Sequence, residues 1–116
     1  MNKYGLTAIE AAKLFDQGFS PSDAWEKASC EFFERGSAAQ KKGCPKNAFL
    51  GLYENDRFKL SKNAVYAVKA HEYLRKYPKE VMSIKKLWNI ATNGELISHN
   101  SQMNVVLELW KSGLIK

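Results

Sequence analysis

The chain has 116 residues, of which 45% are hydrophobic and 26% charged, with a formal net charge of +6; this balance is typical of one globular domain and does not favour a disordered chain. The sequence contains no apolar run of the kind found in a secretory signal peptide, and no apolar stretch approaches the ~20 residues of a membrane-spanning helix. We therefore expect a cytoplasmic protein that is not inserted in a membrane. Two cysteines are too few for a disulfide framework or a four-ligand zinc site, and we expect no metal or cofactor.

The positive charge is confined to the second half of the chain. Residues 1–58 carry eight basic and eight acidic side chains, whereas residues 59–116 carry ten basic and four acidic ones. Clustered positive charge attracts phosphate groups or acidic protein surfaces, although spare lysines on a solvated face give the same pattern. Only three of the eighteen basic residues are arginine, so the chain has few side chains that can form bidentate hydrogen bonds to bases or phosphates.

Two helices are predicted before residue 36. The segment TAIE at residues 7–10 matches a capping box, which predicts a first helix from there to a stop at Gly18. Ser20 and Pro21 are typical of an N-cap and a first helical position. We therefore expect a second helix from this point to about Arg35, ended by Gly36.

A third, short helix is predicted in the segment KKGCPKNAFLGL at residues 41–52. Gly43 is expected to turn the chain with a positive φ, and Pro45 to open a helix that runs to about Glu54. Gly51 lies in the helix interior, where glycine costs about 1 kcal/mol relative to alanine. Close contact with another backbone is the expected reason for it.

Three further helices are predicted in the second half. The fourth runs from Lys62, after a Ser61 cap, to Tyr77, and its wide apolar arc marks a central helix. The fifth begins at Glu80 or Ser83 and ends at residues 93–94, and the sixth runs from Asn100 or Ser101 to Gly113. Residues 57–60 are the only weak strand candidate. The sequence therefore predicts an all-α fold, a single domain of about six short helices over residues 1–116.

Cys44 is a candidate reactive thiol at the start of the third helix. A helix N-terminus is partially positive, and Lys41, Lys42 and Lys46 lie near, so a thiolate there would be stabilised. A thiol enzyme also needs a base, for which His71 on the apolar face of the fourth helix is the candidate. Nothing in the sequence requires the two to meet. The packing of a short helix explains more of this segment, and we expect no enzymatic activity.

Part of the chain resembles a known family. The segment KGCPKNAFLGLYE, together with NKYG near the N-terminus and DAWEKA in the second helix, resembles a family of small bacterial proteins of unknown function. The resemblance covers about the first half of the chain and the fourth helix. It implies a bacterial, cytoplasmic, stand-alone domain, and it brings no activity, substrate or site residue.

The C-terminal third is similar to the helix-turn-helix part of winged-helix DNA-binding proteins. In that arrangement, polar side chains around the start of the sixth helix would face the major groove and lysines would contact phosphates. The residues assigned by this hypothesis are Lys85, Lys86, Ser98, Asn100, Ser101, Gln102, Asn104 and Lys111. The link between the two helices is long for a tight turn, and no segment for a wing hairpin follows. A helical hairpin that closes the core explains the apolar residues equally well.

Three functions remain open at this point. The first, which we expect, is a non-catalytic protein that binds a macromolecular partner. The second is a nucleic-acid-binding protein that uses the basic C-terminal half, and the third is a thiol-dependent enzyme that uses Cys44. The sequence indicates neither the identity of a partner nor the oligomeric state.

Overall fold

Six α-helices make up the regular structure of residues 2–54 and 61–116, which are the parts of the chain that the computed structural model describes. They are α1 Lys3–Asp16, α2 Pro21–Phe32, α3 Gly43–Tyr53, α4 Lys62–Lys76, α5 Ile84–Ala91 and α6 Gln102–Lys111. The predicted all-α fold is confirmed for these residues. The weak strand candidate at residues 57–60 lies outside them. None of the described helices is long and apolar enough to cross a membrane.

Three helices begin at the serines that the sequence predicts. Ser20, Ser61 and Ser83 each accept a hydrogen bond from the backbone N–H three residues further on. This contact satisfies one of the N–H groups that a helix leaves free at its first turn, so it determines where the helix starts. The starts of α2, α4 and α5 are therefore confirmed.

The predicted start of the first helix is wrong. The N-cap of α1 is Asn2, whose side-chain oxygen accepts hydrogen bonds from the N–H groups of Tyr4 and Gly5. Thr7 lies one turn inside the helix, and its hydroxyl donates to the carbonyl of Lys3. An asparagine cap satisfies two free N–H groups, which explains why the helix begins before the capping-box pattern.

The connection between α2 and α3 also differs from the prediction. The α2 helix ends at Phe32 rather than near Arg35, because Phe33 adopts extended backbone and its ring packs 4.6 Å from that of Tyr4 on α1. The α3 helix begins at Gly43, which does not have the expected positive φ. The loop is held instead by Gln40, which is 2% exposed and donates to the Ser29 hydroxyl of α2 at 2.8 Å.

The α6 helix is the central element of the core. It packs against α1, α3, α4 and α5, while α2 lies on α1 and α3. Six of its ten residues are buried: Gln102, Met103, Val105, Val106, Leu107 and Leu109. The α4 helix contacts three other helices, in agreement with its wide apolar arc. The C-terminal helix is therefore a core element with little free surface.

The α3 and α4 helices approach each other closely at Gly51. A Cβ atom added to Gly51 would lie 2.6 Å from Cα and 2.7 Å from the carbonyl oxygen of Ala64. Both positions are closer than van der Waals contact allows, so only glycine fits without a shift of the backbone. The expected reason for a glycine inside this helix is confirmed.

We expect Gly51→Ala to lower the free energy of unfolding by about 1–3 kcal/mol, the usual cost of overpacking. Alanine stabilises a helix interior by about 1 kcal/mol relative to glycine. This gain is outweighed because the added Cβ clashes with backbone atoms of Ala64, which cannot move aside as a flexible side chain can. Urea unfolding followed by circular dichroism measures the change.

Gly43→Ala in the same helix is the matched control for this substitution. The nearest atom to its added Cβ is Nδ2 of Asn47 at 3.6 Å, an ordinary contact, so stability should stay the same or rise. An equal loss of stability in both variants would contradict the close-packing explanation.

Candidate functional site

A distinctive exposed surface of the described residues surrounds α5 and the loop that follows it. The chain leaves α5 through Asn93 and Gly94, whose φ angles of 54° and 77° are both left-handed. Asparagine and glycine tolerate this conformation better than other residues, so the Asn-Gly pair both ends α5 and turns the chain back along it. Residues 95–100 then run without helical structure to the start of α6.

We call the cleft between α5 and this loop the α5 groove. It encloses about 440 Å³, and its lining includes Lys85, Trp88, Asn89, Glu95, Leu96 and Ser98. Leu96 is 105% exposed, so its whole side chain is in solvent. A second apolar side chain, Val81, precedes α5 and is 92% exposed. One solvated apolar residue therefore lies shortly before α5 in the chain, and another lies shortly after it.

Trp88 holds the groove in shape. Its indole N–H donates to the carbonyl of Ile97 at 2.8 Å, which ties α5 to the loop. The rings of Tyr66 and His99 pack edge-on or tilted against it, with centroids 5.2 and 5.1 Å away. Because Trp88 is only 8% exposed, these contacts fix its position and that of the loop beside Leu96.

The charges around α5 are partly neutralised within the protein. Lys85 and Glu95 line the groove and have opposite signs. Lys86 forms an ion pair with Glu80, which also accepts a hydrogen bond from the Tyr73 hydroxyl at 2.9 Å. These hydrogen bonds raise the pKa of Lys86 and lower the pKa of Glu80. Lys85 is consequently the basic side chain that α5 offers at the groove itself.

The residues of the helix-turn-helix hypothesis divide into an exposed and an enclosed group. Lys85, Lys86, Ser98 and Lys111 are exposed, whereas Asn100, Ser101 and Asn104 are partly buried and Gln102 is 2% exposed. The hypothesis requires the second group to be accessible to base edges. The structure instead turns the start of α6 towards neighbouring elements of the fold.

Gln102 is the most enclosed of these residues. Its amide nitrogen donates to Oδ1 of Asn63 on α4 at 2.9 Å, and its amide oxygen accepts from the N–H of Asn100. Both polar ends of this buried side chain are therefore satisfied inside the protein, whereas the hypothesis places it at the surface. Ser101 likewise accepts a hydrogen bond from Asn2 at the start of α1, at 3.5 Å.

The two residues of the thiol hypothesis lie on α3 and α4, two helices that pack against each other. Cys44 is the second residue of α3 and partly buried. On α4, His71 places Nε2 3.0 Å from the main-chain oxygen of Lys116, and its ring packs against Trp110. Burial is the main cause that lowers the pKa of His71. One of the two ring nitrogens of the candidate base is thus engaged with the main chain of Lys116.

Within residues 2–54 and 61–116, no three side chains of His, Cys, Asp or Glu lie together in a way that could hold a metal ion.

Sequence reasoning missed the role of His99, which caps α6. Its Nε2 accepts a hydrogen bond from the N–H of Met103 at 3.1 Å, and the side chain of the N-cap residue Ser101 caps no N–H group of α6. Ser101 has a φ of 68°, so its hydroxyl is not placed as a serine cap normally is. Histidine is not a usual cap, so the sequence carries no signal for this contact.

We expect the stability of the protein to fall on acidification because His99 must be neutral to accept this bond. Burial, and secondly the charge of Lys42, lower the pKa of His99 below its ordinary value of 6.5. Because the pKa of His99 is lower in the folded protein than in the unfolded chain, His99 makes its full contribution to the free energy of unfolding above pH 6.5. This contribution is lost as the pH falls through the pKa that His99 has in the folded protein. Unfolding measured from pH 8 to 5 should show the decline.

His99→Gln supplies the comparison, since glutamine keeps a hydrogen-bond acceptor and does not titrate. The variant should lose less stability than the wild type between neutral pH and pH 5, although His71, whose pKa is also lowered, leaves it some pH dependence. Identical pH profiles for variant and wild type would contradict the role of His99.

Comparison with known proteins adds a family but no activity. No curated protein and no solved structure matches this chain. A family model matches residues 1–116, so the relationship extends beyond the first half and the fourth helix to the C-terminal third. The chain belongs to DUF6979, a family of unknown function.

Proposed function

We propose that this protein is non-catalytic and acts by binding another protein through the α5 groove. The observation that carries the proposal is Leu96, a fully exposed leucine on a loop held in place by Trp88. Burial of a leucine side chain contributes roughly 1.5–3 kcal/mol. A rigid loop that presents it beside a ready groove loses little conformational entropy on binding, which favours association.

The chemistry of the groove fits a protein better than a nucleic acid. The lining of the groove combines the apolar Trp88, Leu96 and Ile97 with the polar Lys85, Asn89 and Ser98. Protein interfaces combine apolar and polar groups in this way. A phosphate backbone in the groove would meet the carboxylate of Glu95 and so gain little from Lys85.

The absence of catalysis is supported by the state of the two histidines. His71 bonds to Lys116 and His99 accepts from Met103, so each ring has a structural partner. General-base catalysis needs a ring nitrogen within hydrogen-bond reach of the nucleophile. Among the hydrogen bonds of residues 2–54 and 61–116, neither ring contacts Cys44.

Nucleic-acid binding remains the second candidate because of the positive charge in residues 59–116. With Gln102 enclosed, only exposed side chains such as Lys85, Ser98 and Lys111 could take part, and the lysines contact phosphates rather than bases. Such binding would be independent of sequence and would weaken steeply with salt.

We expect no tight binding when labelled duplex and single-stranded oligonucleotides are titrated with the protein at roughly 50 mM salt and followed by fluorescence anisotropy. Tight binding that is lost at roughly 200 mM salt, and weakened by Lys85→Glu and Lys111→Glu, would favour the nucleic-acid alternative over our proposal.

The protein-binding proposal is tested with a photo-crosslinking amino acid at Ser98, which lines the groove and leaves Leu96 unchanged. In cells that produce the protein, we expect discrete crosslinked adducts that disappear when Leu96→Asp is added. Because Leu96 is fully exposed, this substitution should leave the melting temperature unchanged. The same crosslinker at Ala38, an exposed position in the α2–α3 loop, is the control. Equal crosslinking from both positions would contradict the proposal.

A further inference from the structure

We propose that the partner of the α5 groove is a second copy of this chain, bound in a two-fold symmetric dimer with the two α5 helices antiparallel. This inference rests on the proposed function of the groove as a protein-binding surface. A two-fold interface brings one patch against itself, so the patch must be complementary to itself in charge and in shape. The α5 groove carries one charge of each sign, and its lining includes the fully exposed Leu96, an apolar side chain that can enter the groove of the partner.

The charges of the groove are self-complementary. Lys85 lies in the first turn of α5, and Glu95 lies four residues beyond the end of the helix at Ala91. An antiparallel arrangement brings the start of one α5 beside the end of the other, so Lys85 of each copy faces Glu95 of its partner. Both charged side chains of the groove are then paired, and each pair occurs twice.

The exposed apolar residues follow the same symmetry. Val81 lies three residues before α5 and Leu96 five residues after it, and they are 92% and 105% exposed. The antiparallel arrangement that pairs Lys85 with Glu95 also brings Val81 of one copy towards Leu96 of the other. It removes from water two apolar side chains that the monomer leaves fully solvated.

Other partners are less well matched by the same residues. The groove carries one positive and one negative side chain, so it favours neither a strongly acidic nor a strongly basic segment. The helix dipoles add to the preference for a copy, because two antiparallel helices place the positive end of each near the negative end of the other.

The dimer should be weak. Stable interfaces use about 20–30 residues on each side, and the groove with Val81 supplies fewer. We therefore expect association at high protein concentration, measured by sedimentation velocity from about 5 to 500 µM, the range in which small interfaces exchange.

Charge reversal tests the geometry. Lys85→Glu and Glu95→Lys should each weaken dimerisation by about tenfold or more, because each places like charges together at two symmetric positions. The double variant Lys85→Glu/Glu95→Lys should restore it, since it exchanges the signs and keeps the pairs. Lys13 on α1 and Glu31 on α2 are exposed and lie outside the groove, so Lys13→Glu and Glu31→Lys are the controls. They cause the same changes of net charge and should leave dimerisation unchanged.

The outcomes separate this inference from the proposed function. Rescue by the double variant, with a self-crosslink from Ser98 in the purified protein, supports the dimer. A monomer at all concentrations whose Ser98 crosslinks only to a different protein overturns the dimer and keeps the proposed function. A monomer that forms no Leu96-dependent crosslink overturns both. Dimerisation that the double variant fails to restore overturns the antiparallel pairing.

Discussion

The burial of α6 between α1, α3, α4 and α5 is the constraint on which the other features depend. A helix enclosed on so many sides cannot leave its free N–H groups or polar side chains without partners, because an unsatisfied buried polar group costs about 1–3 kcal/mol. The surrounding elements supply those partners: Asn63 for Gln102, Asn2 for Ser101 and the ring of His99 for Met103. These contacts tie the starts of α1 and α4 and the preceding loop to one end of α6.

The same burial decides which part of the C-terminal third can act on a partner. In a helix-turn-helix, the second helix presents its first turn to the major groove. Here the first turn of α6 is used to close the core, and α5 with its loop becomes the outer element. The exposed residues of that element include Leu96, the polar Asn89 and Ser98 and charges of both signs, and the proposed protein contact rests on them.

Local rules predicted much of the fold and missed specific contacts. Ser20, Ser61 and Ser83 were recognisable because a serine before an amphipathic run acts through neighbouring N–H groups alone. Gly51 was recognisable because its cost inside a helix requires a compensating close contact. The early end of α2 was not, since it follows from the packing of Phe33 on Tyr4, residues 29 positions apart in the chain.

The candidate site shows the same division. The sequence by itself determined that α5 has an inward apolar face, that Lys85 points outward and that Asn93 and Gly94 turn the chain, because helical periodicity and backbone conformation are local properties. Only the tertiary structure decided that Leu96 is exposed, that Trp88 anchors its loop and that Gln102 is enclosed. These three features depend on which distant elements pack together, so the pattern within one segment does not predict them.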